Sequence, residues 1–214
     1  SWVFVFVPLT FLLANQFEDS RLRWSEAQRW LVAVITVALF FLSVVVHELS
    51  HSLVALAKGI PVQGITLFIF GGVSRLGREP QSPLTEFFVA VVGPLSSMGL
   101  AGIFGGFWFL LGRGDSSPEV VLLLVAWTNL SLGIFNLLPG YPLDGGRVLR
   151  AGIWGITGSY HHATQVAARS GQLVGGLMIL AGIVLALLVD IVDGVWIALI
   201  GGFLFTVASR SYPR

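Results

Sequence analysis

Leu31-Val32-Ala33-Val34-Ile35-Thr36-Val37-Ala38-Leu39-Phe40-Phe41-Leu42-Ser43-Val44-Val45-Val46 contains no charged residue and runs directly into His47-Glu48-Leu49-Ser50-His51. An apolar run of this kind, extended from Trp30 to Ala57, is long enough to cross a hydrocarbon core, which takes about 20 helical residues. The five residues that follow the run form an HExxH pattern. Histidines four apart fall on one face of a helix, about one turn from each other. Two imidazoles so placed can hold one zinc ion, with the intervening glutamate beside the metal to take a proton from bound water. A charged side chain at a bilayer centre costs about 2.5–3.5 kcal/mol on insertion scales. Glu48 therefore needs a reason to be there, and a metal in a water-filled cavity supplies one.

The rest of the composition agrees with a membrane solvent. Of 214 residues, 55% are hydrophobic and only 11% charged, where a soluble domain carries roughly a quarter charged. A formal net charge of +1 gives no reason to invoke nucleic acid. The chain has no cysteine, which excludes disulfides and thiolate metal sites. Its four histidines are His47, His51, His161 and His162, so a third metal ligand must be one of the last two or a carboxylate. The sequence opens at Ser1, inside an apolar run with no basic segment before it. An N-terminal truncation is expected rather than a signal peptide.

Six apolar runs are expected to span: Trp2 to Phe17, Trp30 to Ala57, Phe87 to Leu111, Val120 to Leu138, Ser170 to Val189 and Val195 to Ala208. The expected fold class is an all-α polytopic membrane protein of about six transmembrane helices. The last two runs could form a tight hairpin turning at Asp190 to Gly194. Loops on the N-terminal side, with the C-terminus, hold Lys58, Arg75, Arg78, Arg147, Arg150, Arg169, Arg210 and Arg214; the opposite loops hold Arg21, Arg23, Arg29 and Arg113. The excess of basic residues places both termini, and the end of the second span with its motif, toward the cytoplasm. Arg147 and Arg150 are expected to face cytoplasmic headgroups, with steadying of the Asp144 loop as the lesser alternative, and Glu86 is expected at the interface.

The segment Gln63 to Leu76 is apolar and β-prone but short, and it is broken at Gly71-Gly72. A re-entrant or membrane-associated β-hairpin between the second and third spans is expected there. Such backbone is tolerated at membrane depth only where it is paired or lines a cavity.

A carboxylate candidate for the third ligand lies in Asn136-Leu137-Leu138-Pro139-Gly140-Tyr141-Pro142-Leu143-Asp144-Gly145-Gly146, a Pro/Gly-rich turn that closes the fourth span. Asp144 could swing back to the metal or serve simply as a turn residue. His161-His162 is the rival, but adjacent helical residues point about 100° apart, which suits one metal poorly.

Taken in order, His47-Glu48-Leu49-Ser50-His51, Phe70-Gly71-Gly72-Val73, Gly93-Pro94-Leu95-Ser96 and the Asn136 to Gly146 segment resemble the site-2 protease family of intramembrane zinc metalloproteases. The resemblance covers about residues 1–175. It implies His47, His51 and Asp144 as ligands of one Zn2+ per chain and Glu48 as catalytic base. It also implies that the segment Phe70, Gly71, Gly72 and Val73 presents an edge strand to substrate, and that Asn136 positions substrate or loop. The family often has Asn a few residues after the Gly-Pro of the third span; Ser96-Ser97-Met98 stands there in this chain. Pro142-Leu143-Asp144-Gly145-Gly146-Arg147-Val148-Leu149-Arg150 looks most like the branch that often carries a pair of cytoplasmic CBS domains. Those domains, and any nucleotide that would regulate through them, are absent from residues 1–214.

The implied function is an intramembrane zinc endopeptidase that cuts transmembrane segments in regulated intramembrane proteolysis. The implied partners are a single-pass transmembrane substrate and the lipid bilayer, with no nucleic acid. Residues 1–214 read as one transmembrane metalloprotease core, catalytic over about 30–150, with C-terminal spans in 151–214. The alternative is a membrane zinc transporter or metal sensor on the same ligands. Such a protein would be expected to carry further acidic or His residues in other spans, and spans one, three, five and six have no obvious ones.

Overall fold

A computed structural model of the chain describes residues 3–18, 24–68, 71–78 and 80–211, with the backbone path alone for 3–4, 65–68 and 71–76. Trp2, Arg21, Arg23, Phe70 and Arg214, named above, lie outside the described residues. The described chain is mostly helical: α1 (Val3–Glu18), α2 (Glu26–Ala57), β1 (Val62–Phe68), β2 (Gly71–Leu76), α3 (Pro83–Leu110), α4 (Ser117–Asn136), α5 (Asp144–Thr157), α6 (Tyr160–Leu188) and α7 (Ile191–Arg210). Five helices, α2, α3, α4, α6 and α7, are long and apolar enough to cross a membrane. Many of their large apolar side chains are exposed, Leu42, Leu53, Phe107, Leu177 and Leu199 among them, as a lipid solvent requires.

By contact the chain divides into two compact units, 1–78 with 92–134, and 79–91 with 135–214. The first holds α1, α2, both strands, most of α3 and nearly all of α4. Its core is small and apolar, built from Ala14, Phe17, Val32, Ala33, Val121 and Val125. Helix α2 starts at a capping box. Ser25 accepts from the Gln28 amide at 3.3 Å while the Gln28 side chain accepts from the Ser25 amide at 2.9 Å. Two turns before the end of α4, Asn129 is fully buried and donates to Ser43 of α2 at 3.0 Å and to the Val125 carbonyl at 2.8 Å. Such bonds between apolar helices are worth on the order of 0.6 kcal/mol. After α2 the chain turns at Gly59, whose φ of +74° favours glycine, and enters the strands. β1 and β2 pair antiparallel, with Phe68 opposite Gly71 and Thr66 opposite Val73. The pair packs on α2, chiefly through β2.

The second unit is α5, α6, α7 and the start of α3. Here the structure departs from the sequence reading. Beyond the turn expected over Asn136 to Gly146, the stretch between the fourth and fifth apolar runs is helical rather than plain connection. It contains α5, and α6 begins ten residues earlier than its apolar run, at Tyr160. Asp144 is the first residue of α5, not the end of a turn. Helix α5 is amphipathic and opens on Asp-Gly-Gly, so its composition conceals it from a search for apolar runs. Arg150 does not face headgroups but Glu86. Both are buried, and they bond to each other within this unit.

Helices α6 and α7 are joined by two residues, with Asp190 capping α7 by accepting from the Val192 amide at 2.8 Å and the Asp193 amide at 2.9 Å. Their backbones meet at small residues. A Cβ on Gly182 would stand 2.5 Å from the Ala198 nitrogen and 2.6 Å from the Gly194 carbonyl oxygen. Gly176 on the same helix has nothing within 4 Å of its Cβ position. Gly182→Ala is therefore expected to destabilise the detergent-solubilised protein by about 1–3 kcal/mol through overpacking. Gly176→Ala should be neutral or stabilise by up to ~1 kcal/mol through helix propensity. Thermal unfolding of the two variants side by side checks this.

Candidate metal centre

In the first unit, α2 brings His47, Glu48 and His51 together one turn apart, and all three are buried. The Nε2 atoms of His47 and His51 stand 3.2 Å apart. Two ring nitrogens at that distance cannot both carry protons facing each other; with both unprotonated, their lone pairs can converge on one cation. At Zn–N distances of about 2.0–2.1 Å and tetrahedral angles, two ligating nitrogens lie roughly 3.3–3.4 Å apart. The observed spacing is close to that of a zinc-ready pair.

Helix α3 supplies two residues that complete the histidine environment. Ser97 is fully buried, and its Oγ lies 2.9 Å from His47 Nδ1. With Nδ1 donating to Ser97, Nε2 keeps its lone pair for metal. This is the outer bond that metal-ligating histidines ordinarily make. Gly93, four residues earlier on α3, faces the same two rings. A Cβ there would lie 2.1 Å from His51 Nε2 and 2.7 Å from His47 Nε2. Only glycine leaves the space between the two nitrogens open. Sequence reasoning quoted Gly93 only as part of a motif and left Ser97 without a role. The signal in the sequence was the Ser96-Ser97-Met98 stretch, where the family resembled often has Asn; in the structure the Ser97 hydroxyl meets His47.

The other expected residues fall as follows. Gly71, Gly72 and Val73 open β2, the strand that packs on α2. In the second unit, Asn136 is the last residue of α4 and Asp144 the first of α5. His161 and His162 lie in the exposed first turn of α6, where Gln165 Nε2 and His161 Nε2 are 3.0 Å apart. That surroundings is polar surface, unlike the buried His47–His51 pair.

The pattern of Peptidase family M50 matches residues 35–114 and 113–182, a stretch that holds every residue named in this site. The chain belongs to Peptidase family M50. It is 39% identical to Rip3 of Mycobacterium tuberculosis over 188 residues, covering 86% of this chain and 48% of that protein. It is 42% identical to the Synechocystis protein sll0528 over 187 residues, covering 85% of this chain and 48% of that protein. The chain thus spans about half the length of these curated relatives. Its fold is similar to the site-2 protease from Methanocaldococcus jannaschii, with a TM-score of 0.67, 26% identity, and coverage of 99% of this chain and 89% of that one. Family membership makes zinc the cofactor and the chain a metalloprotease-family member, and the donor set fits that metal. Imidazole is a good zinc ligand, and the absence of cysteine leaves nitrogen and oxygen donors to do the work.

Two substitutions on α3 test this environment. Ser97→Ala is expected to weaken zinc binding by about 10–100-fold, the usual cost of losing an outer-shell partner. Gly93→Ala should prevent stoichiometric zinc uptake, because its methyl group occupies the space between the histidine nitrogens. Competition against a fluorescent zinc chelator measures both.

Proposed function

We propose that the chain is the catalytic core of an intramembrane zinc endopeptidase, one that hydrolyses peptide bonds inside transmembrane segments of its substrates in regulated intramembrane proteolysis. The observation that carries this reading is the buried His47–His51 pair, 3.2 Å apart, on a 32-residue apolar helix of a Peptidase family M50 chain.

In this reading His47, His51 and Asp144 hold one zinc ion, leaving one position for water. Bound zinc would lower the pKa of that water toward ~7 and polarise the scissile carbonyl. Glu48 takes the proton from the water and later passes it to the leaving amine. Its burial keeps competing solvent away from that transfer. Asp144 is supported as the third ligand by its place at the start of α5 and by the family resemblance of the Asn136 to Gly146 segment.

A helical substrate hides its amides, so it must unwind locally to be cut. The strand β2, with Gly71, Gly72 and Val73, and the adjoining Phe70 by resemblance, would hold the unwound stretch by β-augmentation. Asn136 would position substrate or the loop that follows it. The shorter apolar helix α1 would make a sixth span beside the five long ones, and the paired strands would sit at membrane depth. The charge asymmetry of the loops places the site toward the cytoplasm, with both termini on that side. Residues 1–214 act as one core, catalytic over about 30–150. The substrate is a single-pass transmembrane protein, and regulation through CBS domains would require sequence outside this chain.

The test is to incubate detergent-purified protein with a transmembrane peptide, with and without chelator, alongside Glu48→Gln. Cutting should be chelator-sensitive and fall by about 10²–10⁴-fold in the variant. Equal cutting by Glu48→Gln would remove Glu48 as base. Zinc binding with no cutting by either protein would favour the transporter or sensor.

A further inference from the structure

The second unit buries an ion pair that the proposed chemistry does not use. Glu86, in the first turn of α3, is fully buried. Arg150, in the middle of α5, is buried too. Arg150 Nε donates to Glu86 Oε1 at 2.8 Å, and its Nη2 donates to the same oxygen. The guanidinium also lies over the ring of Tyr160, 4.9 Å from its centroid, and 5.9 Å from that of Tyr141. Glu86 Oε2 is buried with no hydrogen-bond partner among the described residues. Burial lowers the Arg150 pKa, and Glu86 with Tyr160 and Tyr141 outweighs this, so the group stays charged with its pKa raised.

A buried pair of this kind is seldom the most stable choice. Apolar side chains of similar volume often do as well or better, so the pair calls for a role in placement. Helix α5 needs placing. Its N-cap, Leu143, makes no side-chain cap bond, and Asp144 is followed by two glycines, which are poor helix formers. The loop before it is tied to α6, where the Tyr141 amide donates to the Ala167 carbonyl at 3.1 Å and Ser170 Oγ donates to the Pro139 carbonyl. The backbone of that loop also lies against Gly145 and Gly146, and α5 packs along α6. Arg150, six residues beyond Asp144, is the charged contact from α5 to α3. On α3, Glu86 precedes Gly93 by seven residues and Ser97 by eleven, which is two and three turns along one face. Helix α3 thus carries both Glu86 and, further along, the two residues that face the histidine pair.

We propose that Glu86 and Arg150 are positioning residues for the metal centre: their bond sets the rotation of α5 about its axis, and with it the direction in which Asp144 presents its carboxylate. This rests on Asp144 being the third ligand, as proposed above. The pair touches neither metal nor substrate and acts only through Asp144.

Three proteins are compared with the wild type, each purified in detergent: Glu86→Met/Arg150→Met, Arg150→Lys and Asp144→Ala. Zinc affinity is read by chelator competition, the thermal midpoint on zinc-stripped protein, and kcat and KM on a transmembrane peptide. The double Met variant replaces the pair at similar volume. It should keep the thermal midpoint within a few degrees of wild type or raise it, yet bind zinc at least tenfold more weakly, with kcat reduced and KM little changed. Arg150→Lys, which keeps the charge but loses the paired grip on one oxygen, should lose zinc affinity in the same direction. It answers the question if the double variant does not fold. Wild-type zinc affinity in the pair variants, with affinity lost in Asp144→Ala, would overturn the positioning role and leave Asp144 as ligand. Wild-type zinc affinity in Asp144→Ala would overturn the ligand assignment itself, and the positioning role with it.

Discussion

Ionisable and polar groups inside an apolar helix bundle must be matched to partners, because no water is at hand to solvate them. His47, Glu48 and His51 impose this constraint on the first unit. Two imidazole nitrogens 3.2 Å apart can share one cation between their lone pairs. The ring nitrogen facing away from that cation then requires a bond, and Ser97 meets the requirement from α3. The space between the rings must stay open, and Gly93 is the residue on the same helix that leaves it so. The capping box at Ser25 and the Asn129–Ser43 bond hold α2 at its start and one turn before the motif.

Helix α3 carries a second charge-matching problem at its other end. Glu86 has no solvent exposure and is matched by Arg150 of α5. Taken singly, each side chain is expensive to bury, and removing one partner would strand the other. The pair adds a charged tie between α5 and α3 to the packing of α5 on α6 and on the loop before it. The α6–α7 hairpin is organised differently. Its helices approach through Gly182 and Gly194 rather than through charges, with one side-chain hydrogen bond between them from Gln172 to Ser209.

Membership in Peptidase family M50 rests on residues 35–182, and the histidines, Glu48, Gly93, Ser97, Asn136 and Asp144 all lie inside that span. The similarity in fold to a site-2 protease extends over nearly the whole chain.

The amino-acid sequence by itself determined the solvent, the approximate positions of the long apolar helices, the HExxH motif and its family. These are local properties: hydropathy over about 20 residues, and a spacing of four on one helix. Helix α5 escaped because its amphipathic, glycine-led sequence gives no apolar run. The bond between Glu86 and Arg150 was not legible, because a charged residue near a span end ordinarily faces headgroups and the partner of each lies 64 positions away. The contact between Ser97 and His47 crosses 50 positions and was equally invisible. The tertiary structure alone decided which polar groups meet, since the free energy of a buried charge or imidazole depends on what faces it across the bundle and not on its neighbours along the chain.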